Sequence, residues 1–328
     1  MKRNVIAIAA ATGCLMCGAV QAQEPIESNL GATMRFGLQM DTEPGAELSF
    51  NDYGSRITWE GLIGAEGGTQ GIGYIEFGFD QEGGASTTRE AWLGFQGSFG
   101  TIKGGKQYSA FYDAVSSAVD IGYTSIDDDP ILSQQQANFR FHAGSCNFEV
   151  GCVRQASVVK YESPSDRDMQ LLASGQFFYD GDDFVNELDF GISTKQGDIS
   201  LGAGASLLLD TEPSTGFALG LSATVPVGDA AASVTLQYAN DDYIGGLDNA
   251  FAITGAFSTD SFYGLVTIAD AARTPFNIAG GYKMPLIGDQ AFIYFEGVLA
   301  EPDVQGADLN ILGRAVMVFD FDVVRTGT

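Results

Sequence analysis

The chain has 328 residues, with 42 acidic and 16 basic side chains and a formal net charge of −26, yet 45% of its residues are apolar. Disordered acidic proteins lack that apolar content, and a surface this negative repels phosphate, so a disordered chain and a nucleic-acid partner are both excluded. The charge must sit on loops and an inner surface while apolar faces are used elsewhere.

At the N-terminus, Lys2 and Arg3 precede the apolar stretch Val5 to Ala19, and Val20-Gln21-Ala22 places small residues where a signal peptidase reads. Residues 1–22 therefore read as an export signal cleaved before Gln23, not as a membrane span. Cys14 and Cys17 leave with it; an acylated lipoprotein is the alternative, but the leucine-led box of such proteins is absent. The mature chain keeps Cys146 and Cys152. In an oxidising compartment a disulfide closing Asn147 to Gly151 is expected, with two free thiols as the alternative.

From residue 29 onward, apolar residues alternate with small or polar ones in about sixteen segments of roughly ten residues. In the first, Leu30, Ala32, Met34, Phe36, Leu38 and Met40 share one face, and Gly31, Thr33, Arg35, Gly37, Gln39 and Asp41 share the other. The pattern predicts strands over 29–41, 54–63, 71–80, 88–97, 99–110, 154–162, 169–179, 184–193, 198–209, 216–225, 231–240, 249–257, 261–269, 275–284, 290–299 and 309–321. Alternation alone fits a soluble sandwich as well as a barrel in lipid. The connections decide: short ones such as Gln96 to Phe99, Thr194 to Gly197, Pro226 to Asp229 and Ser258 to Asp260 alternate with longer, more acidic ones such as Asp180 to Asp183, Asn240 to Tyr243 and Glu301 to Asp303. An outer-membrane barrel requires that asymmetry and a sandwich does not. No mature segment offers the ~20 uninterrupted apolar residues of a membrane helix. The expected fold is all-β: a sixteen-stranded antiparallel transmembrane β-barrel in one domain over residues 23–328, its outer wall covered by lipid.

One connection is far longer than the rest. Residues 113–153 hold Asp120, the run Asp127, Asp128 and Asp129, Pro130 and the cysteine pair. A structureless segment of that length in a compact domain is functional or disordered, and a disulfide argues for order. A barrel of this size encloses a lumen too wide to sieve small solutes, which a loop folded inward would narrow.

The stretch from Arg89 to Tyr108, with Trp92-Leu93-Gly94-Phe95, Gly97-Ser98-Phe99-Gly100 and Gly104-Gly105-Lys106-Gln107-Tyr108, continuing to Phe111-Tyr112-Asp113-Ala114-Val115, resembles the fourth and fifth strands of Gram-negative general diffusion porins. Arg154 to Pro164 is similar to the strand leaving that family's third loop, and Ser55 to Gly61 to its second strand. The resemblance implies a homotrimer of sixteen-stranded barrels in the outer membrane, each with its third loop folded into the lumen as a constriction. It also implies a basic cluster on the wall facing acids on that loop. The matching positions are Arg35, Arg56, Arg89 and Arg154, with Asp120, Asp127, Asp128 and Asp129 as the candidate acids.

Residue chemistry supports part of this. Arg35 lies opposite Leu38 and Met40 and should point inward, because an arginine facing lipid costs about 2–4 kcal/mol at the midplane. The parity of Arg89 is ambiguous, since Ala91, Leu93 and Phe95 share its face. Girdle or loop-anchoring cations remain the alternative for the arginines, and a solvated tip for the aspartates. Glu90 beside Trp92, in Gly- and Ala-rich early strands, suggests an outward-facing contact between subunits. No cofactor is expected, although the acidic run offers carboxylate oxygens to calcium without EF-hand spacing. Two features depart from the family. The chain ends Phe319-Asp320-Phe321 followed by Asp322 to Thr328 instead of on a terminal phenylalanine, so the last strand either runs through Val324 or stops at Phe321. The loop also lacks a Pro-Glu-Phe-Gly turn.

An enzyme is not expected. His142 is the one histidine and no nucleophile motif accompanies it; Glu76 and Asp80 share a strand face among many acids; and Gly67-Gly68, Gly83-Gly84 and Gly245-Gly246 lie in turns. The expected function is a passive, water-filled channel for small hydrophilic solutes and ions, mildly cation-preferring. The alternatives are a substrate-specific channel using Tyr123, Phe139 and Phe141, and a closed structural or adhesion barrel.

Overall fold

Along almost every segment the alternation read in the sequence becomes a physical two-sidedness. The computed structural model describes residues 26–41, 48–64, 67–78, 87–121, 154–164, 168–177, 186–209, 216–240, 243, 250–270, 276–288, 290–300 and 310–326. The strands are β1 (Ile26–Asp41), β2 (Leu48–Asp52), β3 (Arg56–Ile63), β4 (Gln70–Gly78), β5 (Thr87–Gly97), β6 (Gly100–Tyr108), β7 (Arg154–Glu162), β8 (Met169–Gln176), β9 (Glu187–Gln196), β10 (Ile199–Leu208), β11 (Gly216–Val227), β12 (Ala230–Ala239), β13 (Ala250–Ser258), β14 (Phe262–Asp270), β15 (Phe276–Ile287), β16 (Ala291–Ala300) and β17 (Asn310–Thr326). Between β6 and β7 lie a short helix, α1 (Ala110–Ala114), and a 3-10 turn (Ser116–Val119).

From β3 onward each strand pairs antiparallel with its chain neighbour, and β17 pairs with β1, which closes the cylinder. β2 and β3 both pair with β1, so they are two halves of one stave and the seventeen segments make the sixteen staves that were expected. The break has a local cause. The carboxylate of Asp52 accepts from the backbone N–H groups of Gly54 and Ser55 at 2.8 and 2.7 Å, an Asx turn that competes with the ladder and swings Tyr53 into a buried position. The segment Leu48–Asp52 was absent from the sequence reading because this turn interrupts its periodicity.

The last strand runs through to Thr326, with Leu30 opposite Val324 and Ser28 opposite Thr326. Of the two readings of the C-terminus, the one that ends the strand at Phe321 is therefore incorrect. Short turns join β9 to β10 and β11 to β12, each entered through a glycine at φ +63 (Gly197, Gly228), the backbone that tight hairpins demand.

Leu38, Leu93, Phe95, Leu219, Leu221 and Ile253 are exposed on the outside, Leu93 by 68%. Their strand neighbours Gln39, Trp92, Gly220 and Thr254 face in. An apolar surface on this scale needs a non-aqueous covering, and a bilayer supplies it. No described helix is long and apolar enough to cross a membrane; the crossing is made by strands. Polar side chains and two buried apolar clusters occupy the inner face. One cluster gathers Phe111, Val115, Leu208 and Ala218, and the other Tyr53, Val119, Phe292, Tyr294, Leu312 and Val316.

Candidate functional site

Three of the wall arginines are drawn into one charge cluster across β3, β4, β5 and β7. Glu76 on β4 accepts from Arg89 Nε at 2.6 Å, lies 3.4 Å from Arg56 Nη1 and takes the Tyr74 hydroxyl at 2.9 Å. Arg89 reaches it through a bulge. Glu76 stands opposite Glu90 while Phe77 stands opposite Thr88, so Arg89 is the extra residue and turns inward despite sharing parity with Leu93 and Phe95. Glu90 also faces the lumen, accepting from the Trp92 indole N–H at 3.3 Å. The expectation that Glu90 projects outward between subunits is thus corrected: the bulge permits two successive residues to face inward. Arg35 faces the same interior, its backbone N–H donating to Ser55 Oγ at 2.8 Å.

Arg154 is joined by aromatic rings to the segment that follows β6. Its Nη2 donates to the Tyr108 hydroxyl at 2.5 Å, and its guanidinium lies 4.8 Å over the same ring. Tyr108 stacks on Tyr112 with centroids 4.2 Å apart, and the Tyr112 hydroxyl donates to the Asp120 carboxylate. Asp120 keeps an exposed edge while its surroundings are crowded by protein. Desolvation raises its carboxyl above the usual range, against the Tyr112 hydrogen bond and the fields of Arg154, Arg89 and Arg56, which lower it. Burial and the neighbouring carboxylate likewise hold the Tyr112 hydroxyl protonated.

The segment carrying Asp120 is fastened to inward-facing residues of β7 to β11. Ser109 caps α1, its hydroxyl accepting from the Tyr112 N–H at 3.1 Å. Ala110 N–H donates to Ser174 Oγ at 2.9 Å, Lys160 Nζ lies 2.5 Å from Asp113 Oδ2, and Ser222 Oγ donates to the Ala114 carbonyl at 2.8 Å. Underneath, the wall is cleared by glycine. A Cβ at Gly191 would lie 2.7 Å from the Ala110 carbonyl, one at Gly220 2.7 Å from Val115, and one at Gly202 would strike the Ala114 carbonyl. These contacts are tight, so the seat admits no larger residue without displacement.

A second charged network was missed in the sequence. Glu296 and Arg314 are direct neighbours across β16 and β17, fully buried, with 3.7 Å between Arg314 Nη1 and Glu296 Oε2. The Tyr263 hydroxyl donates to Glu296, Arg314 Nε donates to Gln39 Oε1 at 3.1 Å, and the Arg314 guanidinium sits 5.4 Å over Tyr53. The network spans the seam between β17 and β1. Glu296 is the one charge on β16, whereas Arg314 shares β17 with Asp320, Asp322 and Arg325.

Among the sequence-stated candidates, Arg56, Arg89 and Arg154 come together with Asp120, and Arg35 shares their interior. Asp127, Asp128, Asp129, His142, Cys146, Cys152, Tyr123, Phe139 and Phe141 lie outside the described residues, as do residues 1–22.

A family model described as Gram-negative porin matches residues 6–289. The chain belongs to the Gram-negative porin family. This porin accordingly resides in the outer membrane and forms a diffusion channel there, and a closed adhesion barrel is not favoured. Solved porins share its fold at low identity. The anion-selective porin from Comamonas acidovorans aligns with a TM-score of 0.73 at 15% identity, covering 90% of this chain and 100% of that one. OmpF of Salmonella typhi, in complex with daunomycin, gives 0.66 at 11%, covering 90% and 97%. The trimer form of OmpT from Vibrio cholerae gives 0.62 at 15%, covering 90% and 99%. No curated protein sequence matches the chain significantly.

Proposed function

We propose that this porin carries small hydrophilic solutes and ions passively through a lumen narrowed by the segment Ser109 to Asp120, with Asp120 set against the cluster of Arg56, Arg89 and Arg154 that Glu76 holds on the wall. The observation that supports the reading is the run of contacts from wall to loop in which Arg154 donates to Tyr108, Tyr108 stacks on Tyr112 and Tyr112 donates to Asp120. Opposed charges at such a place create a transverse field that orders water and polar solutes and favours those able to reorient in it. The rest of the connection, with Asp127 to Asp129 and a Cys146–Cys152 disulfide, completes the constriction.

The net charge of −26 biases ions entering the lumen, so the channel prefers cations mildly. The Comamonas protein is described as anion-selective, and the acid excess here is the reason for the opposite expectation. Residues 1–22 act as the export signal. The protein functions as a homotrimer, in keeping with the trimer form described for the Vibrio protein; the outer face near Trp59, where Gly61 and Gly73 lie beneath the indole, is flat enough for a protein contact.

Purified protein in a planar bilayer across a salt gradient tests this reading. Ohmic conductance with a reversal potential of cation sign is expected, as is swelling of liposomes in small sugars. A folded protein that neither conducts nor admits sugars overturns the channel, and a reversal potential of anion sign overturns the selectivity.

A further inference from the structure

Toward the short-turn end of the barrel, beyond Glu76, the inner wall changes character. Asn29, Glu60, Tyr74, Trp92 and Gly105 stand directly opposite one another across five neighbouring staves, so they form one row on the lumen face. In the next row toward the turns, Leu62 and Ile72 are likewise paired, with Glu27 at one end and Lys103 at the other.

Tyr74 and Trp92 lie with ring centroids 5.7 Å apart and 24° between their planes, a continuous aromatic surface that Leu62 and Ile72 extend. These groups border a pocket of about 820 Å³ opening on the lumen. Barrel interiors are polar where they only pass water and ions, so an apolar floor of four side chains at this depth is a departure. Its charge is one-sided. Lys103 lies 4.8 Å from the Trp92 centroid, but Glu162 neutralises it at 2.7 Å. Glu27 and Glu60 pair with no cation among the described residues.

We infer that this pocket binds small organic cations bearing a flat apolar group. The apolar part lies along Tyr74, Trp92, Leu62 and Ile72, and the charge sits beside the carboxylates of Glu60 and Glu27. Lys103 already covers the Trp92 ring, so the ligand's charge is held by the carboxylates of Glu60 and Glu27, a Coulomb attraction that a neutral sugar does not feel and an organic anion feels as repulsion. The inference rests on the channel reading only for the route by which the solute arrives.

The chain has two tryptophans, Trp59 on the outer face and Trp92 in the pocket, so the W59F protein reports from Trp92 alone. Folded W59F in detergent is titrated with benzyltrimethylammonium, and in parallel with benzoate, tetramethylammonium and glucose. A saturating change in Trp92 emission is expected with benzyltrimethylammonium only, its midpoint shifting at least about tenfold on adding Glu60→Gln and Glu27→Gln, in line with the loss of two charge contacts. A linear response of equal slope for all four probes, or an unmoved midpoint in the double variant, overturns the site. Bilayer conductance of the same preparations separates the two readings. Conducting protein without saturation removes the pocket and leaves the channel, whereas saturation in folded protein that does not conduct supports the pocket and removes the channel.

Discussion

Arg89 donates to Glu76 from a position that has no partner of its own in the ladder: across from Glu76 stands Glu90, and the next pair is Phe77 with Thr88. One additional backbone residue thus converts a side chain destined for lipid into a member of the charge cluster.

Replacing Glu76 by Gln leaves Arg56 and Arg89 crowded without their shared counter-charge. Removing one partner of a mostly buried pair costs about 3 kcal/mol, and the expected result is a lower temperature for conversion of the folded to the unfolded electrophoretic band. In a bilayer the reversal potential is expected to move toward anions. An unchanged potential would mean that Glu76 does not influence permeating ions.

Lys160 secures the segment that bears Asp120. Its side chain is 5% exposed and holds Asp113 at 2.5 Å and Glu162 at 3.4 Å. Lys160→Met is expected to loosen α1 and increase open-channel current noise without abolishing conductance. Deleting Val119 to Gln136 is expected to raise single-channel conductance; a deletion mutant conducting like the parent places that segment away from the permeation path.

Acidification acts on Asp120 ahead of ordinary carboxylates. Because crowding raises its proton affinity, the group loses its charge at a pH above the usual carboxylate range, and the guanidinium groups of Arg56, Arg89 and Arg154 then dominate locally. Cation preference is therefore expected to fall on lowering the pH through that range. Asp120→Asn is expected to show the low-pH selectivity already at neutral pH and to lose the step, as measured by reversal potentials across a pH series.

The cysteine pair gives a chemical test of compartment. Denatured mature protein treated with a thiol-alkylating reagent is expected to take up no label at Cys146 or Cys152 without reductant and two labels after reduction, read by mass spectrometry. Labelling without reductant establishes free thiols.

Much of the architecture could be read from periodicity because, in a barrel, each residue touches either lipid or the lumen and nothing else. Strand positions fell within a few residues of those found. The errors lie where the backbone breaks that rule. The bulge turns Arg89 inward although its parity matches the outward Leu93 and Phe95, so that it faces the lumen together with Glu90, and the turn led by Asp52 hides the half-stave Leu48–Asp52. The seat of α1 was legible in principle, since Gly191, Gly202, Gly204 and Gly220 all fall on the inward parity of their strands, but glycine also marks turns and bulges and its meaning is settled only by what lies above it. The Glu296–Arg314 pair escaped notice for a different reason. Its strands follow the same alternation as the rest, and its further partners Tyr53, Tyr263 and Gln39 come from distant parts of the chain.

The glycine floor beneath α1 also offers a way to adjust the aperture. Since the helix rests directly on backbone, each methyl group added to the wall beneath it must push it toward the central axis by a fraction of its own size. A set of pores with graded bores is therefore obtainable from changes behind the gate, leaving its charged edge and the barrel's entrances untouched.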